Sequence, residues 1–279
     1  MAAEAEACGS AAPILRATGL RKVYAQRRPL SLRSHTVCAL DGVDLTVTRG
    51  AFLAVVGESG SGKSTVARCV ACLERPSSGS ICFEDRDVLA LGDYELRRIR
   101  PKIQLIFQDA ATALNPTFTA AELVEEPLRI QRSASPRECR HRAMEAIAQV
   151  GLPEDCGTRL PHQFSGGQRQ RLAIARALVQ QPALLILDEA CAGLDLSLQA
   201  QIMNLLLDLR DRHGLTYLYI SHDLTLVRRV ADEVAVMERG RIVERGAAAD
   251  LFRDPQQPVT RALIAAVPQL SWRSAVGSG

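Results

Sequence analysis

The stretch VVGESGSGKSTVAR, residues 55 to 68, constrains the fold more than any other part of the sequence. Val55 and Val56 close an apolar run that starts at Phe52, and the residues after Lys63 follow a helical pattern. A glycine-rich turn therefore joins a strand to a helix, and such a junction holds phosphate. Gly57, Gly62, Lys63 and Ser64 stand at the fixed spacing of a P-loop. Glycines let the backbone turn with several N–H groups pointing inward, and the following helix adds the partial positive charge of its N-terminus. Lys63 is expected to reach the β- and γ-phosphates as a point charge, and the Ser64 hydroxyl to ligate the magnesium ion that bridges them. Accident would produce these four positions in roughly one chain in a hundred of this length. The strand before and the helix after make nucleotide binding the stronger reading.

Further short apolar runs of the buried-strand type recur at 51–57, 103–107, 183–188 and 216–221, separated by helical patterns. This alternation predicts an α/β fold: a P-loop NTPase (RecA-like) core with a parallel sheet and helices on both faces. Two flanking regions read as antiparallel. Residues 14–50 alternate, and 234–246 reads as a hairpin around Arg239 and Gly240. The span between Phe107 and Ala183 is too long for one crossover connection and carries helical patterns at 119–131 and 135–151. It is expected to form an inserted helical subdomain, about residues 109–181 within a unit spanning 13–246. Residues 247–268 read as an accessory segment, and 1–12 and 269–279 as disordered ends.

Composition narrows the partners. The chain has 279 residues, 47% hydrophobic and 23% charged, an ordinary globular balance. Its apolar runs fall far short of the roughly 20 residues a spanning helix needs. The N-terminus carries Glu4 and Glu6 and lacks the basic start and apolar block of a secretory signal, so a cytoplasmic location is expected. Net charge is +3 with both signs interspersed, which provides no single-sign field for nucleic acid. The cluster Arg97, Arg98, Arg100 and Lys102 reads as a solvated helix end. Of the eight cysteines, Cys69 and Cys72 form a Cys-x-x-Cys. No second pair follows, and small apolar filling is the favoured role over a metal or redox site.

Two further constellations surround the P-loop. In FSGGQRQRLAIARAL, residues 164–178, Ser165 and Gln168 have the spacing of a capping box, and Gly166 and Gly167 let an anion approach the helix start. An ordinary capped helix explains that pattern equally well on its own. In LLILDEA, residues 184–190, a buried strand delivers Asp188 and Glu189 at its C-terminal edge, beside the place a P-loop occupies in a parallel sheet. Asp188 suits magnesium held through water, and Glu189 suits a base that polarises water against the γ-phosphate.

With these residues in place the chain resembles the ATP-binding subunits of ABC transporters, from about residue 13 to 268. Gly57, Ser59, Gly60, Ser61, Gly62, Lys63, Ser64 and Thr65 fit the Walker A motif. Ser165, Gly166, Gly167 and Gln168 fit the signature motif, and Leu184 to Glu189 fit Walker B. Gln108 fits the Q-loop, Gly193-Leu194-Asp195 the D-loop and His222 the switch histidine, while Tyr24 stands where the family stacks an aromatic ring on adenine. The resemblance implies ATP and magnesium as cofactors, with Glu189 as general base, His222 positioning the γ-phosphate and Gln108 sensing the metal and the permease. It also implies a head-to-tail pair of ATPase subunits, identical or homologous, in which each signature helix caps the other's ATP and Asp195 links the sites. Two permease subunits, a solute-binding protein acting indirectly, and a peripheral place on the cytoplasmic membrane face complete the implied assembly.

The segments CALDGVDL, FQDAATALNP and DPQQPVTRALIAAVP are similar to the dipeptide, oligopeptide and nickel importer ATPases. Ala190 and Cys191 depart from the peptide-type continuation, and the alanine after the glutamate is more similar to the nickel or metallophore branch, which leaves peptide and nickel or metal chelate both open; Cys191 reads as a small filler. A soluble ABC ATPase acting on ribosomes or DNA is the alternative. It would bring a second such unit or a long coiled-coil insertion, and neither is visible. A regulatory subunit without turnover fits poorly with intact Lys63, Asp188, Glu189 and His222. A GTPase is disfavoured because no Asn-Lys-x-Asp motif occurs.

Overall fold

The computed structural model describes residues 12–27, 34–107, 114–132 and 134–267. The chain begins with β1 (Pro13–Arg27), β2 (Ser34–Thr48) and β3 (Phe52–Val56), then α1 (Lys63–Val70), β4 (Ser78–Phe83), β5 (Arg86–Asp87), α2 (Asp93–Ile99) and β6 (Ile103–Ile106). Three helices follow: α3 (Ala120–Gln131), α4 (Pro136–Gln149) and α5 (Gly166–Leu178). The core resumes with β7 (Leu184–Asp188), α6 (Leu196–His213), β8 (Thr216–Ser221), α7 (Leu224–Val230), β9 (Glu233–Glu238) and β10 (Arg241–Ala247). It closes with α8 (Ala248–Arg253) and α9 (Pro258–Ala265).

The central sheet runs β10-β9-β3-β8-β7-β6 and a second sheet runs β2-β1-β4-β5. Every residue of β3, β7 and β8 is buried, as expected for parallel strands covered on both faces. Alternation sends successive side chains to opposite faces. Phe52, Ala54, Val56, Leu185, Leu187, Tyr217 and Tyr219 join the core beneath the later helices. Leu53, Val55, Leu184, Ile186, Leu218 and Ile220 join a second core with α1 and the antiparallel sheet. The register Val56↔Ser221 and Asp188↔Ile220 brings the C-terminal ends of β3, β8 and β7 side by side.

Two features differ from the sequence expectation. The hairpin at 234–246 is antiparallel, yet β9 also pairs in parallel with β3, so it forms the edge of the central sheet rather than a separate flank. Strands β4 and β5 gave no signal, because β4 is small and polar at its start and β5 has two residues, whereas the helix end read at Arg97 and Arg98 is the last turn of α2. The helices between β6 and β7 are set by local chemistry. Thr119 and Glu122 form a reciprocal capping box at the start of α3, and Ser135 caps α4 with Pro136 in its first turn.

The C-terminal segment is fastened at one carboxylate. Glu244 on β10 accepts from the backbone N–H groups of Gln256 (2.7 Å) and Gln257 (3.0 Å), and from the Thr260 hydroxyl. Glu244→Ala is expected to speed amide hydrogen exchange at 256–261, and to cost about 1–3 kcal/mol locally through its stranded donors. Unchanged exchange there contradicts the anchoring role.

Candidate active site

The glycine-rich turn folds as its spacing requires. Gly57 has φ 153°, and a Cβ there would lie 2.2 Å from the Met237 carbonyl oxygen; Gly62 has φ 107°, and its Cβ would lie 2.4 Å from that of Ala39. Only glycine fits either place. The β9–β10 turn braces the loop from behind, with Gly240 N–H donating to the Ser61 carbonyl at 2.9 Å. Ser59 and Gly60 form the exposed tip, Ser61 is buried, and Ser64 and Thr65 open α1. The Lys63 ammonium curls back into the turn and donates to the Gly57 (2.8 Å) and Glu58 (2.7 Å) carbonyls. Burial lowers the Lys63 pKa, against the pull of the Glu189 and Asp188 carboxylates.

Strand β7 delivers the acidic pair beside that loop. Ser64 Oγ donates to Asp188 Oδ1 at 2.9 Å, joining the P-loop helix to β7 across the sheet edge. Asp188 is buried, which raises its pKa against the Ser64 hydrogen bond, and the neighbouring Glu189 charge pushes the same way. Glu189 turns out of the strand with φ 49°, its N–H bonded to the Ile220 carbonyl at 2.9 Å. His222 Nδ1 lies 3.1 Å from Glu189 Oε1. Its neighbour Asp223 caps α7 through Thr225 N–H (2.8 Å), and Ser221 Oγ accepts from Asp223 N–H (3.0 Å), so both flanks of the histidine are tied. Lys63, Ser64, Asp188, Glu189 and His222 thus converge at one sheet edge.

The donor set suits magnesium. A hydroxyl and one buried carboxylate are hard oxygen ligands, too few for a protein cage but right for a metal completed by phosphate and water. Ser64 and Asp188 are already in contact.

The signature residues lie on another element. Ser165 and Gln168 make the reciprocal capping box that starts α5. Around Gly166 and Gly167 lie Leu194 and Leu198. Asp195 Oδ1 caps α6 by accepting from Leu198 N–H at 2.9 Å, a local role its spacing did not reveal. Signature and D-loop therefore form one packed corner within the chain. Gln108 lies outside the described residues.

Tyr24 projects from β1, its hydroxyl donating to Glu74 at 2.8 Å. Across the β1–β2 ladder its register partner Val37 is 44% exposed, an apolar neighbour hidden from sequence reading by the bulges between the strands. Burial disfavours the thiolate at several cysteines. Burial pushes Cys69 and Cys72 up to about 11 and Cys191 up to about 12. No group of three or more metal-ligating side chains occurs among the described residues.

A groove of about 1220 Å³ opens between the core and the helical layer. Exposed Leu73, Tyr94, Phe107 and Ile130 line it, and Arg97, Arg98 and Arg100 stand along it.

Comparison with known proteins agrees with this geometry. The ABC transporter family model matches residues 40–192. The dipeptide transport ATP-binding protein DppF of Haemophilus influenzae is 44% identical over 93% of this chain and 79% of its own length. The chain belongs to the ABC transporter family. Its fold matches a dimeric ATP-binding cassette solved after hydrolysis with ADP and phosphate bound, at TM-score 0.73 and 33% identity, covering 84% of this chain and 98% of the other. It also matches cbiO1 from Clostridium perfringens, part of the ABC transporter complex cbiONQ, at TM-score 0.75 and 30% identity, covering 87% and 91%. This chain is thus an ATP-hydrolysing transporter subunit of that family. No helix among the described residues is long and apolar enough to cross a membrane.

The buried acid has a measurable cost. The folded chain holds the Asp188 proton more tightly than the unfolded chain, so its contribution is favourable at low pH and is lost as pH rises through the folded pKa. At neutral pH Asp188→Asn is expected to raise Tm by about 2 °C, a gain that shrinks on acidification. A lower Tm at neutral pH contradicts this.

Proposed function

We propose that this chain hydrolyses magnesium-bound ATP on the cytoplasmic face of a membrane, as one of two ATPase subunits driving a permease pair that imports di- or oligopeptides. The observation that carries this reading is the convergence of Lys63, Ser64, Asp188, Glu189 and His222 at adjoining strand ends.

The chemistry follows from that edge. The P-loop N–H groups and the start of α1 receive the phosphates, and Lys63 exchanges the Gly57 and Glu58 carbonyls for phosphate oxygens. This exchange also relieves the cost of burying its charge. Ser64 directly and Asp188 through water would hold magnesium, which would supply positive charge against the phosphates. Glu189 accepts the proton of the attacking water, and His222 orients the Glu189 carboxylate from 3.1 Å. Gln108 fits a sensor of the magnesium and the permease. Glu189→Gln is expected to keep ATP affinity and lose turnover by about a hundredfold or more. Hydrolysis at the original rate in that variant removes Glu189 as the base.

Water exclusion calls for a second chain. The His222 side chain is 63% exposed, and the Ser165–Gln168 helix start packs by Leu194 and Leu198. A head-to-tail partner, identical or homologous, supplies its signature residues to this P-loop and receives Ser165, Gly166, Gly167 and Gln168 in return, with Asp195 between the two sites. The solved cassette with ADP and phosphate is itself dimeric.

The groove supplies the permease contact. Its apolar lining and its arginines suit a short amphipathic helix carrying carboxylates, presented by the permease. Arg98→Glu is expected to weaken co-purification with the permease by about tenfold or more while ATP affinity stays unchanged. Equal recovery of the complex excludes this face. For the cargo, the name of the Haemophilus relative favours dipeptides over nickel. Solute-binding proteins act upstream of the permease and fix the choice of peptide.

A further inference from the structure

Between β1 and the end of α1 lies a half-buried network that the phosphate chemistry does not use. Lys22 and Tyr24 are two apart on β1 and so share a face. Glu74 follows α1, its N–H tied to the Arg68 carbonyl at 3.2 Å. One Glu74 oxygen accepts from the Tyr24 hydroxyl at 2.8 Å, and the other pairs with the Lys22 ammonium at 2.9 Å. Lys22 also donates to the Arg75 carbonyl at 2.8 Å and sits 5.2 Å from the Tyr24 ring centroid. Burial works to raise the Glu74 pKa, yet the hydrogen bonds from Lys22 and Tyr24 outweigh it and hold the carboxyl below its usual range.

We infer that Glu74 is a positioning residue for the nucleobase: it fastens the Tyr24 ring to the helix that carries the phosphates, so that adenine meets a platform already set. The inference rests on the reading of Tyr24 as the adenine contact. A tyrosine held only by its Cβ must be ordered when a base stacks on it, and that ordering weakens binding. Here the hydroxyl is fixed on Glu74, and Lys22 holds that carboxylate in place while its cation lies against the ring. The base platform is thereby tied to the segment that follows the phosphate-binding helix. Val37, exposed beside Tyr24, extends the apolar surface offered to the base.

An ordinary staple between β1 and the segment after α1 would use the same contacts, and a ligand without a base separates the two. The test measures the affinity of the full chain for magnesium-bound ATP and for magnesium-bound inorganic tripolyphosphate by calorimetry. The variants are Glu74→Ala, Tyr24→Phe, their double and Tyr24→Ala, each checked for its Tm. Glu74→Ala and Tyr24→Phe are each expected to weaken ATP about fivefold, with the double no weaker than either, because both cut one tie. Tripolyphosphate affinity stays constant, and in steady-state hydrolysis the loss falls on KM rather than kcat. Single effects that multiply to about 25-fold, or ATP and tripolyphosphate losses that run together, overturn the inference. If only Tyr24→Ala weakens ATP, the positioning role of Glu74 fails and the adenine contact stands. If Tyr24→Ala leaves ATP affinity unchanged, the adenine reading itself is overturned, while the phosphate site is unaffected.

Discussion

The register of three parallel strands underlies every other feature of this molecule. With Val56 beside Ser221 and Asp188 beside Ile220, the P-loop, the acidic pair and His222 leave the sheet at one edge. A slip of one residue would turn each strand's side chains to the opposite face and exchange the two cores. Because both faces are buried, that slip is strongly opposed. Packing energy thus fixes a geometry that the charged groups could not hold by themselves.

The charged groups at that edge are kept under strain of a specific kind. Lys63 and Asp188 are both buried, and desolvation moves each toward its neutral form. The P-loop lysine donates to carbonyls of its own loop. A magnesium-bound triphosphate matches both groups at once, offering anionic oxygens to one and a divalent cation to the other. The site is thereby built around a ligand rather than around its own stability, which is common where function sets the chemistry.

Much of this was legible in the sequence for physical reasons. The P-loop spacing depends on two glycines that no other residue can replace, so the chain displays them openly. The buried strands read as short apolar runs, and the capping box at Ser165 marks a helix start by side-chain chemistry. Less legible were features made by tertiary contact. Val37 meets Tyr24 only through a bulged ladder, and the turn at Gly240 braces Ser61 from far along the chain. Asp195 read as an intersubunit residue, and its capping of α6 emerged only from the fold. The hairpin at 234–246 was visible as a hairpin, but its parallel pairing with β3 depends on the whole sheet.

The most direct measurement is ATP hydrolysis by the detergent-solubilised assembly purified through a tag on this chain from its own membranes, with its solute-binding protein empty or loaded with dipeptide. The account predicts two permeases and a second ATPase subunit in the preparation, with magnesium-dependent hydrolysis that rises on adding the loaded binding protein. Recovery of ribosomal or DNA-repair components without any membrane protein, with hydrolysis indifferent to the binding protein, would contradict it.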